Sequence, residues 1–187
     1  MGIGEVKRAV FLDRDGVLNH AVMREGRPHP PANLGELRIA EGAPEALARL
    51  KAAGWLLIVV TNQPDVGRGT QSREVVDQLN QGLAAVMPVD EFVVCWHDGS
   101  EECSCRKPKP GMVLDAAARH GVDLARSFLI GDRWRDIDCG HAAGVRTVWI
   151  DRGYAERGPE KPADFRCGTI AEAVEWILTA PLRRPAC

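Results

Sequence analysis

Apolar residues fall along this chain in two rhythms. Five short runs are apolar at nearly every position before closing on polar residues: AVFLD (9–13), LLIVVTN (56–62), EFVVCWH (91–97), SFLIGD (127–132) and RTVWID (146–151). Their length and their Val, Ile and Leu content predict strands. Runs without polar alternation suit strands covered on both faces, as in a parallel sheet. Between them, amphipathic stretches near 43–53, 72–86, 110–119, 134–143 and 169–179 predict helices. Gly54, Gly121 and Gly144 stand where C-terminal caps belong, and Ser72 opens a helix. The alternation predicts an α/β fold, a single doubly wound and mainly parallel sheet with helices on both faces. The longest irregular stretch, 19–42, is too short for a second domain, so residues 1–187 read as one domain whose 19–42 loop can rim a site.

In such sheets ligands bind beyond the carboxyl ends of the strands. Here those ends are polar: Asp13-Arg14-Asp15-Gly16, Thr61-Asn62-Gln63 and Gly131-Asp132-Arg133. A lone DxDG is most simply a turn. Carboxylates converging from two strand ends repel unless a cation sits among them, and Mg²⁺ suits carboxylate, water and phosphate oxygens.

Composition narrows the function classes. Hydrophobic residues make up 45% and charged residues 27%, which is the balance of a folded globular protein. A net charge of −2 offers no basic face for nucleic acid. No apolar run approaches the roughly 20 residues needed to span a bilayer. The first residues lack the apolar core of a signal peptide, and Val6 replaces the hydroxyl residue of a myristoylation signal. The expectation is a cytoplasmic protein with reduced thiols. Its six cysteines then read as ligands or core residues. Cys139 and Cys167 read as small buried hydrophobes and Cys187 as a frayed end.

Three of the cysteines cluster. Cys95, His97, Cys103 and Cys105 follow C-x-H-x5-C-x-C, four donors that meet the tetrahedral demand of a structural zinc with no position open. The competing reading is a reduced thiol cluster, exposed to oxidation and without structural benefit. Arg106 and Lys107 follow at once, and Pro108 and Pro110 stiffen the far side. The other histidines (His20, His29, His120 and His141) read as ordinary surface or packing residues.

Asp13-x-Asp15-Gly16, Thr61, Lys107 and Gly131-Asp132-x-x-x-Asp136 resemble, in order, the four motifs of the haloacid dehalogenase (HAD) superfamily. FLDRDGVLN, VVTNQ…GRG, CRKPKPGM and IGDRWRDI resemble its zinc-containing phosphatases without a large cap domain, which include heptose bisphosphate and histidinol-phosphate phosphatases. The resemblance implies Asp13 as nucleophile, Asp15 as general acid and then base, and Thr61 and Lys107 as phosphoryl stabilisers. It implies Mg²⁺ on Asp13, Asp15 (through its carbonyl) and Asp132, zinc on the cysteine–histidine cluster, and Asp136 with Arg133 supporting them from behind. Asn62, Gln63, Arg106 and Arg24 are the expected substrate contacts; for Arg24, as for Arg27, a solvated loop position is the competing reading.

The implied partner is a small phosphorylated metabolite. The five residues between His97 and Cys103 resemble the histidinol-phosphate enzymes, whereas DRDGVLN, CRKPKPGM and GRG (67–69) resemble the heptose enzymes. On balance the resemblance implies removal of the 7-phosphate of D-glycero-D-manno-heptose 1,7-bisphosphate. Histidinol phosphate or another small metabolite is the alternative, and a non-catalytic phosphometabolite-binding module the remote one. No sequence feature marks an interface, and a capless phosphatase of this size is compatible with a monomer.

Overall fold

A computed structural model describes residues 7–181. Cys187 lies outside the described residues. Strands β1 (Ala9–Leu12), β4 (Leu56–Asn62), β5 (Glu91–Cys95), β6 (Phe128–Gly131), β7 (Arg146–Ile150) and β8 (Phe165–Cys167) form one sheet in the order β5-β4-β1-β6-β7-β8. Every neighbouring pair in it is parallel. A separate antiparallel hairpin joins β2 (Val22–Arg24) to β3 (Arg27–His29). The helices are α1 (Ala43–Ala52), α2 (Pro64–Gly67), α3 (Arg73–Ala84), α4 (Gly111–His120), α5 (Trp134–Ala143) and α6 (Ile170–Thr179).

The pleat divides each apolar run between two cores. Val10, Leu12, Leu57, Val59, Phe128 and Ile130 pack with Leu47 and Leu50 of α1 and Val174 and Ile177 of α6. Ala9, Phe11, Ile58, Val60 and Leu129 pack on the other face with Met112, Val113 and Ala116 of α4 and Cys139 of α5. Each large side chain buried this way contributes about 1.5–3 kcal/mol, and that accounts for the runs being apolar throughout. Ser72 caps α3 by accepting from the Val75 amide, and Gly121 and Gly144 end α4 and α5 in left-handed conformations.

The structure departs from the sequence reading in the short pieces. The 19–42 stretch is not wholly irregular: Glu25 and Gly26 (φ 50° and 74°) turn a tight hairpin there. β8, with three residues, is too short to show a period. Cys139 is buried, whereas Cys167 is only partly so, because it lies on the edge strand. No helix among the described residues is long and apolar enough to cross a membrane.

The chain builds one side of the sheet outward from β1 and then returns to build the other from β6. The crevice at that reversal, beyond the carboxyl ends of β4, β1 and β6, receives Thr61, Asp13 and Asp132. Asp13 and Asp132 each follow the last paired residue of their strands, where the backbone leaves the sheet.

Candidate active site

A cleft of about 220 Å³ opens at this crevice. Asp13, Asp15, Thr61, Asn62, Arg106, Lys107, Asp132, Arg133 and Asp136 all line it. Of the expected residues, Gln63 and Arg24 do not.

The floor is a buried charge cluster. Lys107 Nζ lies 2.8 Å from Asp13 Oδ1 and 2.6 Å from Asp136 Oδ1, and donates to the Val60 carbonyl at 2.7 Å. Asp13 Oδ1 also accepts from the Arg14 amide at 2.8 Å, so both contacts fall on one oxygen. Asp136 Oδ2 accepts from the Arg133 amide and closes the N-terminus of α5. Lys107 is 3% exposed and Asp136 2%, so neither charge is screened by water. Burial lowers the Lys107 pKa, but the Asp13 and Asp136 carboxylates outweigh it and hold the ammonium above its ordinary value.

Asp132 stands in contrast. It is 2% exposed, and neither carboxylate oxygen has a hydrogen bond of ordinary geometry among the described residues; the nearby Tyr154 hydroxyl offsets its burial only in part. An uncompensated buried carboxylate is costly. One oxygen each of Asp13, Asp132 and Asp136 lies within 4.8 Å of the others. Burial first, and then the Asp13 and Asp136 charges, push Asp132 well above the usual carboxylate range. Burial pushes Asp13 up to about 6 in spite of Lys107. Two raised carboxylates beside one lysine leave a deficit of positive charge, and all-oxygen donors fit a hard cation such as Mg²⁺. The glycines of both motifs admit this crowding. A Cβ on Gly16 (φ 93°) would overlap the Asp132 carboxylate, and one on Gly131 would overlap Asp136.

Asp15 is gripped by donors alone. Arg14, Asn19 and Gln63 side chains all donate to its carboxylate, the last at 2.9 Å. Gln63 also donates to Thr61 Oγ1 and is 1% exposed, so it acts within the wall and not on a ligand in the cleft. Asn62 clasps the Lys107 peptide, donating to its carbonyl and accepting from its amide, both at 3.1 Å. Arg24 points to Glu36 at 2.7 Å, away from the cleft lining.

Next to the floor lies the sulfur loop. Ligand atoms of Cys95, His97, Cys103 and Cys105 gather within 4.8 Å of one another. His97 turns Nδ1 inward, 3.3 Å from Cys105 Sγ, and Nε2 outward toward Glu101 at 3.7 Å. Burial pushes the Cys95 thiol up to about 12, so its thiolate needs a cation beside it. The donor set fits zinc. The loop runs on into Arg106, whose Nη1 donates to the His97 carbonyl at 2.9 Å and whose side chain lies against Gly99.

Arg27, His29, Asp65, Arg68, Arg135 and Glu156 also line the cleft. Sequence reasoning gave none of them a firm place there. Glu156 pairs with Arg133, and Asp65 with Arg68. Arg135 has its pKa lowered by burial and then by the neighbouring Arg133 charge. The cleft is thus acidic at its floor and arginine-rich at its rim.

Comparison with known proteins gives this geometry a context. Residues 104–176 match a family model described as HAD-hydrolase-like. The chain is 39% identical over 187 residues to the D-glycero-beta-D-manno-heptose-1,7-bisphosphate 7-phosphatase of Vibrio cholerae serotype O1, covering 92% of this chain and 97% of that protein. It is 34% identical over 188 residues to the enzyme of the same description from Pasteurella multocida, covering 92% and 97%. Among solved structures it resembles the D,D-heptose 1,7-bisphosphate phosphatase of B. bronchiseptica complexed with magnesium and phosphate. That likeness has a TM-score of 0.81 and 29% identity, over 93% of this chain and 99% of the other. Identity of 34–39% to these phosphatases over nine-tenths of the chain, together with the match to the family model, makes it a phosphoric monoester hydrolase of the HAD-like family, in the group that holds the heptose-1,7-bisphosphate 7-phosphatases.

Proposed function

We propose that this chain removes the 7-phosphate of D-glycero-D-manno-heptose 1,7-bisphosphate, through an aspartyl phosphate on Asp13, with Mg²⁺ at the floor and zinc in the sulfur loop. The observation that carries the reading is the buried, unpartnered carboxylate of Asp132 beside Asp13 and Lys107. The names of the relatives supply the substrate.

Asp13, Asp132 and the Asp15 carbonyl are the groups that would hold Mg²⁺, whose charge would screen the phosphoryl oxygens and keep Asp13 ionised. Asp13 attacks phosphorus while the bond to the sugar oxygen breaks. Asp15 gives its proton to the departing alkoxide. The resulting Asp15 carboxylate then takes a proton from water as that water attacks the aspartyl phosphate, releasing inorganic phosphate and restoring Asp13. Lys107 and Thr61 hold the phosphoryl oxygens as charge shifts among them. Asp136 keeps Lys107 in place from behind.

The arginine rim suits a substrate with a second phosphate. Guanidinium forks bind phosphate in pairs of hydrogen bonds, and Arg106 is the one aimed by the metal loop.

The test is Mg²⁺-dependent phosphate release from a panel: both anomers of the heptose bisphosphate, histidinol phosphate and simple sugar monophosphates. We expect a heptose anomer to lead in kcat/KM and Asp13→Asn to lose at least about 10⁴-fold in turnover. A lead by histidinol phosphate would overturn the substrate, and full activity in Asp13→Asn would overturn the mechanism.

A further inference from the structure

Arg14 has no task in this scheme, yet it is fully buried and among the largest side chains so enclosed. Several kcal/mol are needed to take a guanidinium out of water, so its contacts must be specific. They are few. Nη2 donates to Asp15 Oδ2 at 3.0 Å and to Oδ1 at 3.2 Å, and Nε donates to Oδ1 at 3.3 Å. Nη1 donates to Asn80 Oδ1 at 2.9 Å. Asn80 lies on α3 and is itself 7% exposed. It does not line the cleft. The Arg14 carbonyl accepts from the Val17, Leu18 and Asn19 amides, which pins the turn that carries Asp15.

We propose that Arg14, anchored by Asn80, is the positioning residue for Asp15. The fork fixes the plane of the Asp15 carboxylate, and α3 fixes the fork. An acid–base group works only if its oxygen meets the leaving oxygen in line, and a misplacement of about 1 Å costs on the order of 10²-fold. Gln63 and Asn19 hold the same carboxylate from other sides, but each gives it a single neutral contact. Arg14 alone gives both oxygens charge-assisted bonds. This inference rests on the reading of Asp15 as general acid.

Leaving-group dependence tests it. A sugar alkoxide needs protonation to depart, whereas 4-nitrophenolate does not. The value of kcat/KM reports every step up to that departure, so later hydrolysis of the aspartyl phosphate cannot mask the effect. Asn80→Leu removes the anchor without touching the cleft. We expect it to lower kcat/KM for the best sugar phosphate about tenfold and to leave 4-nitrophenyl phosphate within about twofold. Asn80→Asp keeps an acceptor for Arg14 and is expected to restore the sugar phosphate rate. Arg14→Lys, which has no fork, should show the same selective loss more strongly. Asp15→Asn is the reference, and circular dichroism and Tm verify folding of each variant. If Asp15→Asn lowers both substrates alike, the acid role of Asp15 is wrong. If it discriminates between them but the folded Asn80 and Arg14 variants do not, the positioning role alone is overturned.

Discussion

The carboxylates of Asp13, Asp132 and Asp136 and the donors of Cys95, His97, Cys103 and Cys105 are gathered within the same 4.8 Å reach, but in opposite environments. The first cluster is all oxygen, wholly buried, and cross-linked by a lysine. The second is sulfur and imidazole, half-buried at three of its four residues, and built from the end of β5 and the loop that follows it. A hard-donor floor with orphaned lone pairs leaves room for oxygen ligands to come and go. A soft-donor set of four closes on its ion and admits nothing else. One cluster is suited to chemistry and the other to holding Arg106 and Lys107 where that chemistry happens.

Removing Lys107 should separate the two most sharply. Lys107→Met leaves two buried carboxylates without their counter-charge, so stability should fall by about 3–5 kcal/mol in thermal unfolding. In the folded fraction kcat should fall about 10²–10³-fold. A variant that unfolds like the parent would show that the floor is neutralised by something other than this lysine.

Disabling the sulfur loop should act more mildly and elsewhere. Cys105→Ser, or removal of zinc by a chelator, should free Arg106 from the His97 carbonyl. We expect KM for the bisphosphate to rise about 10–100-fold, with a smaller effect on a monophosphate. Equal losses on both substrates would mean that the loop serves Lys107 alone.

The smallest effect is a pH dependence confined to the floor. Asp13 is pushed up to about 6 by burial, and Asp132 is raised well above its ordinary value. A carboxyl whose pKa rises on folding stabilises the protein below its unfolded pKa, and that contribution is lost as pH rises through the folded value. The metal-free protein therefore weakens as pH rises through about 6. Mg²⁺ binds the ionised form, so the stabilisation it gives, followed by thermal unfolding, should grow between pH 5 and 7.5, by about 1–3 kcal/mol at saturating metal. Zinc removal should leave that trend unchanged.

Much of this was legible in the sequence, for a physical reason. Asp13 and Asp132 close runs that are otherwise apolar, and a charge at the end of a buried strand stands out. The five longer strands and the five main helices read correctly because each carries a full period of its pattern. What was illegible depends on direction and not on residue type. Asn62 and Gln63 have amides suited to a ligand, but the structure spends them on the Lys107 peptide and on Asp15. Arg24 and Arg27 face each other across the hairpin, and only a distant glutamate, Glu36, takes Arg24 away from the cleft. Glu156 reaches Arg133 from a loop that carries no motif. The burial of Arg14 depends on where its side chain turns, which its place between two aspartates does not tell.

The placing of Asp13 on β1 and Asp132 on β6 also bears on how the protein comes to be active. The two strands are sheet neighbours, but β4, α3, β5 and α4 all lie between them in the chain. Long-range strand pairings of this kind close late, because the entropy of the intervening loop must be lost first. During synthesis Asp13 emerges early and waits without Asp132 until β6 docks. The ability to bind phosphate should therefore switch on in one step near the end of folding, and recovery of activity would time the docking of a single central strand.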